Sequence, residues 1–350
     1  MAIKVLIVDD SALIRKLLTR MLSADPDIDV VGTAPDPYIA REKIKALNPD
    51  VITLDIEMPR MDGLTFLANL MRLRPTPVVM VSTMTQNGAR TSLEALHLGA
   101  VDYVSKPKAD VQTTLDAYAE EIIEKVKTAA TANVAALVRQ VPVRRRSNGH
   151  AAGPRVRPRA LGQRVIAIGA STGGTEAIAA VLAALPEDSP PVVIAQHIPE
   201  MFSRSFSERL DGLSALQVHE AQDGEALVPG HAYVAPGNYH LSVARSSLGF
   251  TCRLDQNPKV NRHRPSVDVL FDSVAGSVGA SGIGVLLTGM GRDGARGLQA
   301  MRGAGARTLA QDKASSVVWG MPGAAVELDA VERVVALGRI AGEIVSCVSG

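Results

Sequence analysis

Two groups of side chains in this 350-residue chain have the types and spacing that chemistry requires. The first group is acidic. Asp9 and Asp10 follow the apolar run 3–8, and Asp55 follows the run 51–54. Ser82 and Thr83 follow the run 78–81, and Lys106 with Pro107 follows the run 101–104. Carboxylates brought to one place repel one another and need a cation. Hard oxygen donors suit Mg²⁺, which also takes phosphate oxygens as ligands. A carboxylate beside such an ion can attack a phosphoryl group and become an aspartyl phosphate. Lys106 can pair with the new charge, and the Ser82 hydroxyl can donate a hydrogen bond to it.

The second group is a hydroxyl, an imidazole and a carboxylate. In VIAIGASTGGTEAI an apolar run passes through a glycine turn into a helical pattern, and residues 169–173 fit G-x-S-x-G. Such a turn lifts Ser171 to the top of a sheet, with helix N-terminal amides near its hydroxyl. A glycine-rich turn also cradles phosphates, but G-x-x-x-G-G lacks the dinucleotide spacing. The next run, 191–195, leads into Gln196 and His197 and offers no ribose-binding acid. The run 283–287 leads into TGMGRDGA, which carries Asp293. Ser171, His197 and Asp293 thus each follow a buried run, as a nucleophile, its general base and the carboxylate that orients the base would. The order Ser, His, Asp differs from that of α/β-hydrolases, yet one geometry recurs from several orders. His240 in APGNYH and His263 in NRHRP are second candidates for the site.

These groups must be carried by parallel strands. In the first half five apolar runs, at 3–8, 28–32, 51–54, 78–81 and 101–104, alternate with helical patterns. Between the first two, Leu13, Ile14, Leu17, Leu18, Met21 and Leu22 recur at helical spacing, and Asp10 or Ser11 is placed to cap them. Repeated βα units imply a parallel sheet covered on both faces, with ligands beyond the carboxyl ends of its strands. The second half repeats the rhythm, with helices expected over 175–185, 267–278 and 295–302. Its middle, roughly 213–262, has Pro-Gly turns and shorter alternating runs, and reads as a β-rich insert or a few antiparallel strands. The expected fold is α/β throughout: a (βα)5, flavodoxin-like domain followed by a doubly wound, mostly parallel α/β domain.

Residues 125–164 hold ten Lys/Arg and no Asp or Glu; the whole chain carries +1, so the rest sums to −9. With its Pro, Gly and Arg this stretch reads as a flexible basic linker, either docking an acidic partner or simply solvated. The expected division is 1–124, a linker over 125–160, and 161–350. Apolar residues at 46% and charged residues at 21% fit globular protein and exclude a disordered or fibrous chain. Aromatics at 3% argue against base-stacking platforms. Two cysteines, Cys252 and Cys347, are too few for a disulfide framework or a zinc site and read as free buried thiols. The early acids Asp9 and Asp10 argue against a secretory signal, and no apolar run reaches the roughly 18 residues of a spanning helix. A cytoplasmic protein with no membrane insertion is expected.

Residues 1–124, with DIEMPRMDG at 55–63, resemble the receiver domain of two-component response regulators. The second half resembles the chemotaxis protein-glutamate methylesterase family (CheB). The resemblance rests on GASTGG at 169–174, QHIPEMF at 196–202, APGNYHL at 235–241, RPSVDVLF at 264–271, LLTGMGRDGA at 286–295 and SSVVWGMP at 315–322. It implies that Asp55 is phosphorylated, that Asp9, Asp10, Asp55 and the Glu57 carbonyl hold Mg²⁺, and that Ser82, rather than Thr83, and Lys106 are the switch residues. It implies that Ser171, His197 and Asp293 hydrolyse glutamyl methyl esters on methyl-accepting chemoreceptors, releasing methanol, and deamidate glutamines. Backbone amides around Ser171, Thr172 and Met290 would hold the oxyanion, with no cofactor in the esterase site. A chemotaxis histidine kinase would be the phosphodonor, and the unphosphorylated receiver would occlude the catalytic face. A monomer without nucleic acid is expected. The resemblance loosens at Asp329 and Ala336, where the family often has Gly and Pro. Two rivals are a DNA-binding regulator and an inactive receptor-binding scaffold. The first lacks a recognition-helix pattern in its output half; only turnover separates the second.

Overall fold

The continuous apolar runs of the first half become strands because both of their faces are covered. In the computed structural model, which describes residues 2–82, 86–106, 112–138 and 164–349, five strands form one parallel sheet. They are β1 (Ile3–Val8), β2 (Ile28–Ala34), β3 (Val51–Asp55), β4 (Val78–Ser82) and β5 (Asp102–Ser105). Their order is β2-β1-β3-β4-β5, and every residue of β3 and β4 is buried. The intervening helices start where the sequence provides an oxygen for their first amides. Ser11, not Asp10, caps Ala12–Leu22; Asp36 with Pro37 behind it opens Pro37–Leu47; Asp62 opens Gly63–Leu73. The order reverses at β1 and β3, which places a crevice beyond their carboxyl ends, where Asp9 and Asp55 stand.

The expected linker start at 125 falls inside a helix. Gln112–Ala130 is continuous and is followed by the short helix Val134–Val138; the chain divides into units at 139/140. Ile122, Val126 and Ala129 bury completely on one face, and each buried Ile or Val is worth roughly 1.5–3 kcal/mol. The first two basic residues of the presumed tether are paired: Lys125 Nζ lies 3.0 Å from Asp102, and Lys127 Nζ lies 2.8 Å from both Asp25 and Asp27. The remainder of the expected linker, 139–160, is outside the described residues.

In the second unit seven strands pair in parallel in the order β14-β13-β12-β6-β7-β9-β8. They are β6 (Val165–Ala170), β7 (Val192–Gln196), β8 (Gln217–Glu220), β9 (His231–Val234), β12 (Gly282–Leu286), β13 (Arg307–Gln311) and β14 (Arg333–Val335). The segment 213–262, read as a β-rich insert or a few antiparallel strands, splits. β8 and β9 extend the large sheet, while β10 (His240–Ser246) and β11 (Gly249–Asp255) form a separate antiparallel hairpin. The helices Gly174–Ala184, Val267–Ser277 and Ala295–Gly303 stand where helical spacing predicts them. Asp329 has φ 51, the left-handed region that glycine favours, and Arg302 holds its carboxylate at 2.7 Å; the departure from glycine there is accommodated. Both cysteines are free and buried, and burial pushes the Cys252 thiol up to about 12. Among the described residues no helix is long and apolar enough to cross a membrane.

Candidate active site

Ser171 stands between β6 and the helix Gly174–Ala184 on a turn that closes only because side chains are missing. Gly173 has φ +76, and a Cβ there would meet Val317 at 2.6 Å. A Cβ on Gly174 would lie 2.1 Å from Gln196 Oε1. Gln196, at the end of β7, ties two loops together: its Nε2 donates to the Ser171 carbonyl at 2.9 Å and the His197 carbonyl at 3.1 Å. On the other side the β12 loop presses against the serine, since a Cβ on Gly289 would come within 2.8 Å of Ser171 Cβ. Glu176, in the first turn of the helix behind Ser171, receives Arg209 through Nη1 and Nη2 at 2.6 and 2.9 Å, fastening that helix to Glu200–Leu213.

The three residues meet. His197 Nδ1 is 3.1 Å from Ser171 Oγ, and His197 Nε2 is 2.8 Å from Asp293 Oδ2. With the proton on Nε2, the ring donates to Asp293 and leaves Nδ1 to accept from the serine hydroxyl. Asp293 is served by five donors. Oδ2 accepts from His197 and the Val267 amide (2.7 Å); Oδ1 accepts from Asn261 Nδ2 (2.6 Å), Ser266 Oγ (2.8 Å) and the Asp268 amide (3.2 Å). Two of those amides open the helix Val267–Ser277, so the carboxylate sits at the positive end of its dipole. Burial pushes Asp293 up, but the His197 hydrogen bond and charge, Asn261 and the Val267 amide outweigh it and hold the carboxyl well below the usual range. An ionised carboxylate, an oriented imidazole and a hydroxyl in line can lift the serine proton as the oxygen attacks an acyl carbon.

The second candidates fall around this line rather than in it. His240 is buried, accepts from the Ser266 amide at 3.2 Å and faces the Pro258 carbonyl. His263 stacks flat on His197. The Ser171 amide is already committed to the Thr288 carbonyl at 3.0 Å. This removes one of the amides expected around the oxyanion. Thr172 follows it directly, and Met290 follows Gly289. Gln196, Asn261, Ser266 and Asp268 were not singled out from sequence. Ser266 alone carried a local signal, as a cap before a helical run.

In the first unit Asp9, Asp10 and Asp55 offer ligand oxygens within 4.8 Å of one another. Asp9 and Asp55 are buried, and Asp10 is exposed. Lys106 Nζ lies 2.8 Å from Asp55 Oδ2 and 3.3 Å from Asp9 Oδ2, so one ammonium is shared by two buried carboxylates. Burial, with the Asp9 charge adding to it against Lys106, pushes Asp55 up to about 6, and burial raises Asp9 as well. One ammonium against three acids leaves negative charge on converging carboxylate oxygens, which a hard divalent ion fits. Glu57 enters through its backbone: its amide donates to Asp55 Oδ1 at 3.3 Å while its side chain is exposed. Ser82, last in β4, is buried beside Ser105, and the Lys106 amide donates to its carbonyl. Thr83 lies outside the described residues. A Cβ on Gly63 would lie 2.1 Å from the Asp55 carbonyl, so glycine lets the third helix start against the acidic strand end.

Residues 166–344 match the family described as CheB methylesterase, and residues 5–134 match the response regulator receiver domain. The chain is 58% identical, over 98% of its length and 97% of the relative's, to "Protein-glutamate methylesterase/protein-glutamine glutaminase 1" of Xanthomonas campestris pv. campestris. It is 55% identical, over 99% and 97%, to the protein-glutamate methylesterase/protein-glutamine glutaminase of Nitrosomonas europaea. The crystal structure of the Thermotoga maritima CheB methylesterase catalytic domain matches 52% of this chain and 97% of its own length, at 36% identity and a TM-score of 0.51.

Proposed function

The chain belongs to the CheB methylesterase family, with a response regulator receiver domain ahead of the esterase, and from that premise we propose the following division of labour among its residues. It is a protein-glutamate methylesterase and protein-glutamine glutaminase that serves adaptation in chemotaxis. The hydrogen-bonded line from Ser171 through His197 to Asp293 supports the mechanism. Ser171 Oγ attacks the γ-carbonyl of a glutamyl methyl ester while its proton passes to His197 Nδ1. Asp293, already ionised, stabilises the imidazolium through Nε2–H. The oxyanion is held by the Thr172 and Met290 amides, and each such donor is worth roughly 3–4 kcal/mol in the transition state. The C–OCH₃ bond breaks, His197 returns the proton, and methanol leaves. Water then cleaves the acyl-serine, giving the glutamate carboxylate and restoring the hydroxyl. With glutamine the leaving group is ammonia.

A receiver domain carries a phosphorylation site that typically binds Mg²⁺. Asp9, Asp10 and Asp55 through their carboxylates, and Glu57 through its carbonyl, would hold it. When bound, the ion neutralises the acids and screens phosphoryl oxygens as they approach. The Asp55 carboxylate takes the phosphoryl group from the histidine kinase, whose imidazole leaves. The Lys106 ammonium then pairs with the phosphoryl charge, and Ser82 donates to it. The receiver restrains the esterase until Asp55 is phosphorylated, and the added charge biases that two-state control toward activity. The enzyme acts in the cytoplasm on the receptor's methylated helices.

Methanol release from methylated receptor, with and without a small phosphodonor, tests this. Ser171→Ala is expected to lose about 10⁶-fold in kcat, the loss seen when a triad nucleophile is removed. Wild-type release by that variant would refute the nucleophile. Asp55→Asn is expected to bring the ratio of stimulated to unstimulated rate to one; equal stimulation of mutant and wild type would refute Asp55 as acceptor.

A further inference from the structure

A two-residue turn lies outside both sheets and touches two members of the triad. Val260 and His263 exchange backbone hydrogen bonds at 3.1 and 2.9 Å around Asn261 (φ 51) and Arg262 (φ 70). Two left-handed central residues make a type I′ turn. Asn tolerates that backbone, but Arg does so rarely, so the surroundings must hold it. Arg264 provides the anchor. Its Nη1 donates to the Gln256 and Asn257 carbonyls at 2.7 and 2.8 Å, and its Nη2 to Asn238 Oδ1 at 2.6 Å.

From this pinned turn two side chains reach the site. Asn261 Nδ2 lies between Asp293 Oδ1 (2.6 Å) and Asp268 Oδ2 (2.7 Å). The His263 ring lies over the His197 ring, with centroids 3.6 Å apart and planes inclined by 12°. The two hydrogen bonds of His197, to Ser171 and to Asp293, define a line through its nitrogens. They leave the ring free to rock about that line, and rocking swings the Nδ1 lone pair away from the serine hydroxyl. A flat group at van der Waals distance, parallel to the ring, removes that freedom. It also shields one face of the imidazolium from water.

We propose that this turn is a clasp for the general base, in which His263 is a positioning residue acting through its ring face and Asn261 steadies the carboxylate that orients the base. The inference rests on the triad assignment made above, and it predicts that aromaticity at 263 matters more than a ring nitrogen.

The test uses the full-length protein with phosphodonor and two readouts. One is methanol release from methylated receptor. The other is the rate at which a fluorophosphonate labels Ser171, which needs no receptor. His263→Ala is expected to lower kcat and labelling together by about tenfold or more, with KM within about twofold, because a small misplacement of a catalytic group is costly. His263→Gln, polar but without a face, is expected to lose as much. His263→Phe is expected to recover to within about threefold of wild type. Ala and Gln variants at the wild-type rate would overturn the clasp, and so would a Phe variant as slow as Ala. If wild type labels but releases no methanol, the substrate assignment has failed, and the labelling series still decides the clasp. Labelling of Ser171→Ala at the wild-type rate would remove the nucleophile and the clasp with it.

Discussion

Asp55 and Asp293 are the same residue type, are 1% and 2% exposed, and each stands at or beyond the carboxyl end of a parallel strand. Their carboxyl groups are nevertheless driven in opposite directions. Burial lifts Asp55 to about 6, whereas Asp293 is held well below the ordinary range. The difference lies in the donors. Asp55 has one long amide contact and shares Lys106 with a second buried acid. Asp293 has five donors, two of them amides opening a helix. Desolvation disfavours the ionised form at both places; only at the second is it answered from within the fold. A pocket left short of positive charge suits a ligand that brings some, and a carboxylate fully served by the chain suits a reaction that needs fixed geometry.

The sharpest way to break this comparison is Asp293→Asn. The shape stays, but the amide cannot hold His197 in the tautomer that accepts the serine proton. The expected loss in kcat is about 10⁴-fold. A loss under about tenfold would remove the carboxylate from the reaction.

A middle-sized effect belongs to the other pocket. Its acids must be ionised to bind a cation, and at pH 5 only about a tenth of a group titrating near 6 is ionised. Mg²⁺ binding to the full chain, followed by calorimetry, should therefore weaken about tenfold from pH 7 to pH 5. A pH-independent Kd would mean that Asp55 is not a ligand. The same group affects stability. Between roughly pH 4 and pH 6 the folded chain holds more protons at Asp55 than the unfolded chain does, so this group's contribution falls as pH rises through that window. The smallest effect is expected from Ser266→Ala, which takes one donor of five from Asp293. About 1 kcal/mol, or roughly fivefold in kcat, is the expected cost. A loss as large as that of Asp293→Asn would show that the five donors act as a unit.

Much of this molecule could be read from its residues. Strands covered on both faces are continuous apolar runs, so β1, β3, β6 and β7 stood out, and Asp9, Asp55, Ser171 and His197 could be seen at or just beyond their ends. The glycines of the Ser171 turn and the capping side chains of the first unit act within a few residues, which keeps their signals local. β13, with sequence RTLAQ, and the three-residue β14 were not legible, because their strand character comes from the neighbours they pair with. β8 and β9 lay in the segment read as a β-rich insert or a few antiparallel strands, because short alternating runs do not say which sheet will take them.

The sequence by itself determined the chemistry-bearing residue types, the helix starts and the order of the βα units, since these depend on spacing and on near neighbours. Only the tertiary structure decided which groups satisfy which. Asn261, Ser266 and the Val267 amide reach Asp293 across 32, 27 and 26 residues, and Lys127 reaches Asp27 across 100. Such pairings follow from how the elements pack. A buried carboxylate's charge state follows from them, and no local pattern encodes it.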